Sequence, residues 1–203
     1  MAGPMRAEHV FVRADRRDRA SGGNVVLNFM GAAKTEMALV AKEYFEAAKF
    51  LMSSKVFRND LAAYPIVFLY RHAVELYIKA ILIEGNELSR VEGYSRFDAG
   101  DPFKHIHRLS PWLGHLDRVF DLVGYKSDQA PGATRGKFHK VVEEIDRHEE
   151  TFRFTLTKKM SPTSKEHFVF SPAEVAKALN PILDGLDNAW LALRQRRIDE
   201  ESR

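Results

Sequence analysis

FLYRHAVELYIKAIL, residues 68–82, is the most apolar stretch of the chain, yet four polar side chains interrupt it. Arg71, Glu75 and Lys79 recur every four residues, so they lie in one narrow line along a helix. His72 borders that line. The rest of the circumference is almost entirely apolar, as is typical of a central helix that contacts neighbours on several sides. The stretch therefore predicts a largely buried helix with one polar line, named here the Arg71–Glu75–Lys79 stripe.

The stripe has two interpretations. In the first it is the solvated edge of the helix, with two i,i+4 ion pairs that each stabilise it by about 0.2–0.5 kcal/mol. In the second it lies in a groove or a dimer seam, where Glu75 orients Arg71 and Lys79 toward an anionic ligand. The arginine would then offer a bidentate fork for phosphate, and His72 could transfer a proton near neutral pH. The spacing alone favours neither.

The composition limits the class of protein. The chain has 203 residues, of which 45% are hydrophobic and 29% charged, as expected for a globular domain. The formal net charge of +3 permits an anionic partner without requiring one. Cysteine is absent, which excludes disulfides, thiolate zinc sites and a cysteine nucleophile. No apolar run is long enough to span a bilayer, so we expect a cytoplasmic protein without a membrane partner.

Helical patterns cover most of the chain. A first helix is predicted at 28–56, and a second, containing the stripe, ends at Glu84 because Gly85-Asn86 resembles a stop signal. A third is predicted at 105–123, divided by Pro111 with Ser110 capping its second part. The last two are predicted at 137–150 and 172–197.

These elements predict a mostly α, up-and-down bundle of about five helices. A small β-hairpin or extended excursion is expected near 152–170, where FRFTL and HFVF flank turn residues. Residues 1–27 are interpreted as a basic flexible arm, 28–197 as the bundle domain and 198–203 as a frayed charged tail.

Two further clusters contain candidate residues. His105, His107 and His115 lie close together in sequence, but no acidic residue completes a recognisable metal-ligand spacing, so we predict neither a metal nor a cofactor. The segment EEIDRHEETFRF, residues 143–154, is interpreted as a solvated face on which Asp146 and its charged neighbours form local ion pairs.

The order of these features resembles the HEPN superfamily. The resemblance is carried by the run of Arg71, His72 and Glu75, by the later element HIHRLSPWL at 105–113, and by Asp146 followed by FRF at 152–154. It covers residues 30–195 and implies a helical bundle that is often dimeric. Many members are metal-independent RNases in toxin, phage-defence or RNA-processing systems, and others bind RNA, nucleotides or partners such as nucleotidyltransferases.

The chain departs from the nuclease motif of that family. The motif places a histidine a few residues after the arginine, where this chain has Leu76, Tyr77 and Ile78. The segment RLSPWLGH at 108–115 has a suitable arginine-to-histidine separation, but Leu109 follows its arginine and Pro111 interrupts it.

Three functions follow as hypotheses. The first is a HEPN-like homodimer that binds RNA, a nucleotide or a protein partner such as a nucleotidyltransferase, in stress or phage defence. The second is a metal-independent endoribonuclease, and the third a structural interaction module. Arg71, His72 and Glu75 are the candidate catalytic residues. The candidate ligand-binding residues are Lys79, His107, Arg108 and Arg153.

Overall fold

The computed structural model describes residues 33–54, 63–92, 108–124, 135–147 and 171–203. By its internal contacts the chain divides into two compact units, Met1–Glu36 and Met37–Arg203. The predicted arm at 1–27 and the predicted β excursion near 152–170 lie outside the described residues.

Helices account for nearly all of the described residues. They are α1 Ala33–Ser53, α2 Ala63–Val91, α3 Ser110–Leu122, α4 Arg135–Arg147 and α5 Pro172–Glu201. No strand occurs within the described ranges. The prediction of a mostly α bundle of about five helices is confirmed. Of the helices described, none is both long and apolar enough to cross a membrane.

Helix α2 is the centre of the second unit. Of its 29 residues, 18 are buried, as the nearly continuous apolar circumference of its sequence predicts. Its most extensive packing is against α5, and it also packs against α3. The apolar side chains around it form one continuous core that includes Trp112, Val142 and Trp190 from the other helices.

Polar contacts show that α2 and α5 run in the same direction. The Tyr70 hydroxyl donates to Asn180 Oδ1 at 2.8 Å, and further along both helices the Tyr77 hydroxyl donates to Asp187 Oδ1 at 3.0 Å. Near their ends, Arg197 Nε donates to Glu84 Oε2 at 2.8 Å. The α2 partners recur every seven residues, so these bonds define one polar line along the interface between the two helices.

Helix α1 packs its aromatic side against the first half of α2. The Phe45 ring lies 6.1 Å from the Tyr70 ring, and Lys42 forms an ion pair of 3.1 Å with Asp187. Because Lys42 is level with the Tyr77 hydroxyl whereas Phe45 is level with Tyr70, α1 runs opposite to α2. The Asp187 carboxylate therefore joins α1, α2 and α5.

The predicted end of the second helix at Gly85 is wrong. Helix α2 continues through this residue to Val91. A Cβ at Gly85 would lie 2.7 Å and 2.9 Å from the two Cγ atoms of Val119. The glycine is required because α3 approaches the α2 backbone closely, and its resemblance to a helix stop is incidental.

Gly85→Ala should lower the free energy of unfolding by about 1–2 kcal/mol, because overpacking against Val119 outweighs the better helix propensity of alanine. Gly114→Ala on α3 is the matched control: no atom lies within 4 Å of its new Cβ, so it should be stabilising. Urea denaturation would measure both, and Val119→Ala should rescue Gly85→Ala. Equal stabilisation by the two glycine replacements would contradict the close approach.

Other helix boundaries also differ from prediction. Helix α3 is one helix that begins at Ser110 with Pro111 in its first turn, and Ser110 is not the capping residue. Helix α4 lies at Arg135–Arg147, and α5 continues through Pro181 and four residues past its predicted end. Helix α5 begins at Pro172 as predicted, and Ser171 caps it, since its Oγ accepts a hydrogen bond from Glu174 N.

Candidate functional site

The Arg71–Glu75–Lys79 stripe forms two hydrogen-bonded ion pairs that share one carboxylate. Arg71 Nη1 donates to Glu75 Oε2 at 2.9 Å, and Lys79 Nζ donates to Glu75 Oε1 at 2.7 Å. Each pair spans one helical turn, so the predicted i,i+4 spacing is realised in the structure.

The stripe is buried within a single chain. The exposed fractions of the Arg71, Glu75 and Lys79 side chains are 2%, 7% and 10%. The interpretation as a solvated edge is therefore wrong. The groove or dimer seam stays a prediction, and within the single chain little of these three side chains is exposed.

A fourth charge, from α4, completes the network. Asp146 Oδ1 lies 3.8 Å from Arg71 Nη2, and the Asp146 side chain is 8% exposed. The expected place of Asp146 on a solvated face is therefore wrong. With Arg71, Glu75 and Lys79 it forms a buried set of two positive and two negative groups, named here the four-charge network. Balanced charges are what a low-dielectric interior tolerates.

Asp146 also holds the beginning of α3. Its carboxylate accepts hydrogen bonds from the Leu109 amide at 2.7 Å, from the Ser110 amide at 2.6 Å and from the Ser110 hydroxyl at 2.5 Å. Helix N-termini have unpaired amides and attract negative charge. Asp146 meets both requirements although it lies 37 positions after Leu109 in the chain. A local cap would instead come from a neighbouring residue.

The Glu75 carboxylate is held in its charged form. Burial acts to raise its pKa, but the hydrogen bond and charge of Lys79, with those of Arg71, outweigh burial and leave the pKa below its ordinary value. Glu75 is therefore unsuited to act as a general acid or base near neutral pH, and its chemical role is to pair two buried cations.

His72 is the most accessible of the candidate catalytic residues. Its side chain is 30% exposed, and its Nδ1 lies 4.0 Å from Glu75 Oε2. The imidazole stacks on Phe68 at a ring distance of 5.7 Å and contacts Tyr44 edge-on at 4.5 Å. This half-exposed ring near a carboxylate is the one part of the predicted catalytic set that solvent reaches.

The candidate ligand-binding residues are separated by the fold. Lys79 is buried in the four-charge network, whereas Arg108 is exposed immediately before α3. His107 and Arg153 lie outside the described residues. His115, from the histidine cluster, contacts Arg118 at 2.7 Å and the edge of Trp112 instead of approaching the network.

Sequence reasoning did not find the tyrosines of the α2–α5 interface. Burial and the nearby charge of Asp187 raise the pKa of Tyr77, and burial raises that of Tyr70 to about 12. Both hydroxyls therefore stay protonated and donate their hydrogen bonds. The seven-residue interval between the tyrosines was the available signal that they lie on one side of α2. Their hydrogen-bond partners, however, are 110 positions away in sequence.

Among the described residues, no metal site is identified, and a cavity between α3 and α5 is smaller than a ligand pocket. No group of three histidine, aspartate or glutamate side chains among them could hold a metal ion. A cavity of about 130 Å³ lies between α3 and α5, away from the four-charge network. It is lined by Phe120, Val123, Ala189, Ala192, Leu193 and Arg196. Its volume is well below the roughly 300 Å³ of a typical ligand pocket.

Comparisons with family models, with curated proteins and with solved structures found no match to this chain.

Proposed function

We propose that this chain is a HEPN-like helical module that binds RNA and does not cleave it. Binding is favoured over cleavage because Arg71 and Lys79 share the Glu75 carboxylate. Arg71, which cleavage would require beside the scissile phosphate, instead pairs with Glu75 and faces Asp146 in the interior. A buried cation held by two carboxylates cannot stabilise charge that develops on a bound phosphate.

The proposal includes a homodimer and a role in stress or phage defence, both implied by the family resemblance. Such a module would act with a partner that supplies the chemistry, of which a nucleotidyltransferase is the type expected from the resemblance.

One observation favours endoribonuclease activity as a second candidate function. His72 is partly exposed, and its Nδ1 lies 4.0 Å from the Glu75 carboxylate, so a small movement would bring this candidate general base within hydrogen-bond distance of an orienting acid. Metal-independent cleavage would use this base to activate a ribose 2′-hydroxyl. It would also need a cation at the phosphate, which Arg71 does not provide in this conformation.

RNA binding and RNA cleavage can be measured on one preparation. We expect labelled single-stranded RNA to bind with an affinity that falls as salt rises, and to stay intact in EDTA. Cleavage in EDTA that is lost in His72→Ala would overturn the proposal in favour of the ribonuclease. Absence of RNA binding at about 50 mM salt would overturn it in favour of a nucleotide or protein ligand.

A further inference from the structure

Arg108 and Arg147 differ from the other arginines whose side chains the structure describes. Those others each contact a carboxylate, a histidine or an aromatic ring, as Arg90 does with Glu87 and Arg203 with Glu200. Arg108 and Arg147 are exposed, and neither has an ion-pair, hydrogen-bond or ring partner among the described residues. Two guanidinium groups are therefore available to an external anion.

The buried network brings these two arginines close together. Arg108 directly precedes Leu109, whose amide donates to Asp146, and Arg147 directly follows Asp146. Standard backbone and side-chain lengths then place the two Cα atoms no more than about 13 Å apart. Although 39 positions separate them in sequence, the Asp146 cap holds them at the junction between α4 and the beginning of α3.

A lysine extends this pair along α4. Lys140 lies seven residues before Arg147, so it is on the same side of the helix and about 10.5 Å away along its axis. It is exposed and has no ion-pair partner among the described residues. Glu143 and Glu144 are exposed on the same side and reduce the positive potential without forming an ion pair.

We propose that Arg108, Lys140 and Arg147, named here the α3–α4 cationic face, bind the phosphate backbone of single-stranded RNA. This inference rests on the proposed RNA-binding function and names the surface that performs it. Planar guanidinium groups match phosphate oxygens bidentately, and three separated cations, two on α4 and one before α3, suit a series of phosphates better than one small anion. An acidic protein is the competing ligand, and the experiment distinguishes it.

The test compares Arg108→Gln/Arg147→Gln with the wild type, using a fluorescein-labelled oligouridine between about 50 and 200 mM salt. Loss of two phosphate contacts should weaken binding roughly tenfold at the lower salt and reduce the salt slope by about 1.4. Arg90→Gln/Arg203→Gln is the control, because it removes two exposed arginines from helix ends elsewhere and should leave binding unchanged. Glu143→Gln/Glu144→Gln should strengthen binding several-fold.

The outcomes separate this inference from the proposed function. If the wild type binds RNA but the Arg108/Arg147 and Arg90/Arg203 substitutions weaken its affinity equally, the α3–α4 cationic face is not the RNA-binding surface. The proposed RNA-binding function would then still stand. If the wild type does not bind RNA, the proposed function itself fails. If polyglutamate binds with the same dependence on Arg108 and Arg147 while oligouridine does not, the ligand is an acidic protein and the RNA inference is overturned.

Discussion

Glu75→Gln should lower the free energy of unfolding by about 3 kcal/mol at pH 7. The wild-type carboxylate accepts bonds of 2.9 Å from Arg71 and 2.7 Å from Lys79, and all three side chains are nearly inaccessible to water. The glutamine keeps the shape and one carbonyl acceptor but removes the charge. Two buried cations are then left with Asp146 alone, and removing one partner of a buried ion pair leaves an uncompensated charge.

The effect of Glu75→Gln should depend on pH in a defined direction. Because Lys79 and Arg71 hold the pKa of Glu75 below its ordinary value of 4.5, the folded state favours the carboxylate more than the unfolded state does. That stabilisation is complete above the unfolded pKa and is lost as pH falls through the lower folded pKa. Urea denaturation should therefore show a constant difference between the two proteins from about pH 6 to 7, which shrinks toward pH 3.

Two variants make the Glu75 prediction specific to burial. Glu174→Gln removes one partner of the Lys177 pair, whose side chains are 71% and 78% exposed, and should change stability by less than about 0.5 kcal/mol. Lys79→Met added to Glu75→Gln should recover part of the loss, because it removes an unpaired buried cation. A Glu75→Gln cost as small as that of Glu174→Gln would show that the stripe is solvated after all.

The sequence predicts the local order of the stripe but not its surroundings. The four-residue spacing fixes the ion pairs within α2, since they depend only on helix geometry. Whether that line faces water depends on what packs over it, and here the decisive partner is Asp146 on α4. A helical wheel gives the angle of a residue around its axis and contains no information about the opposing element. The burial of the stripe could therefore not be predicted from the sequence pattern.

Local signals also failed where packing gave a residue another purpose. Gly85 has the sequence signature of a helix end, yet it lies inside α2. The residue is a glycine because Val119 leaves no room for a Cβ. Ser110 has the signature of a helix cap, yet its amide and hydroxyl donate to a carboxylate from another helix. The start of the last helix at 172, where the Ser171 cap bond is local, was predicted correctly. The distinction is whether the partner lies within a few residues along the chain.

Asp146→Ala should lower the free energy of unfolding by about 3 kcal/mol, with its largest local effect at the beginning of α3. The substitution removes the acceptor of the Leu109 and Ser110 amides and the carboxylate that faces Arg71. Hydrogen bonds to charged groups contribute about 1.5–3 kcal/mol each, so the loss of these bonds accounts for a cost of this size. Amide hydrogen exchange should therefore accelerate most in the first turn of α3.

Graded substitutions separate the roles of the Asp146 carboxylate. Ser110→Ala removes only the hydroxyl bond and should lower the free energy of unfolding by about 1 kcal/mol. The cost of Asp146→Asn should lie between the costs of Ser110→Ala and Asp146→Ala, because the amide oxygen still accepts hydrogen bonds but carries no charge to pair with Arg71. Ser171→Ala is the matched control, since it removes a local cap from α5 and should cost about 1 kcal/mol without changing exchange in α3. If Asp146→Ala costs no more than Ser171→Ala, Asp146 is an ordinary cap and the four-charge network does not depend on it. If α3 exchange accelerates while the unfolding free energy falls as expected, the carboxylate anchors α3 to the centre of the bundle and thereby sets where Arg108 lies.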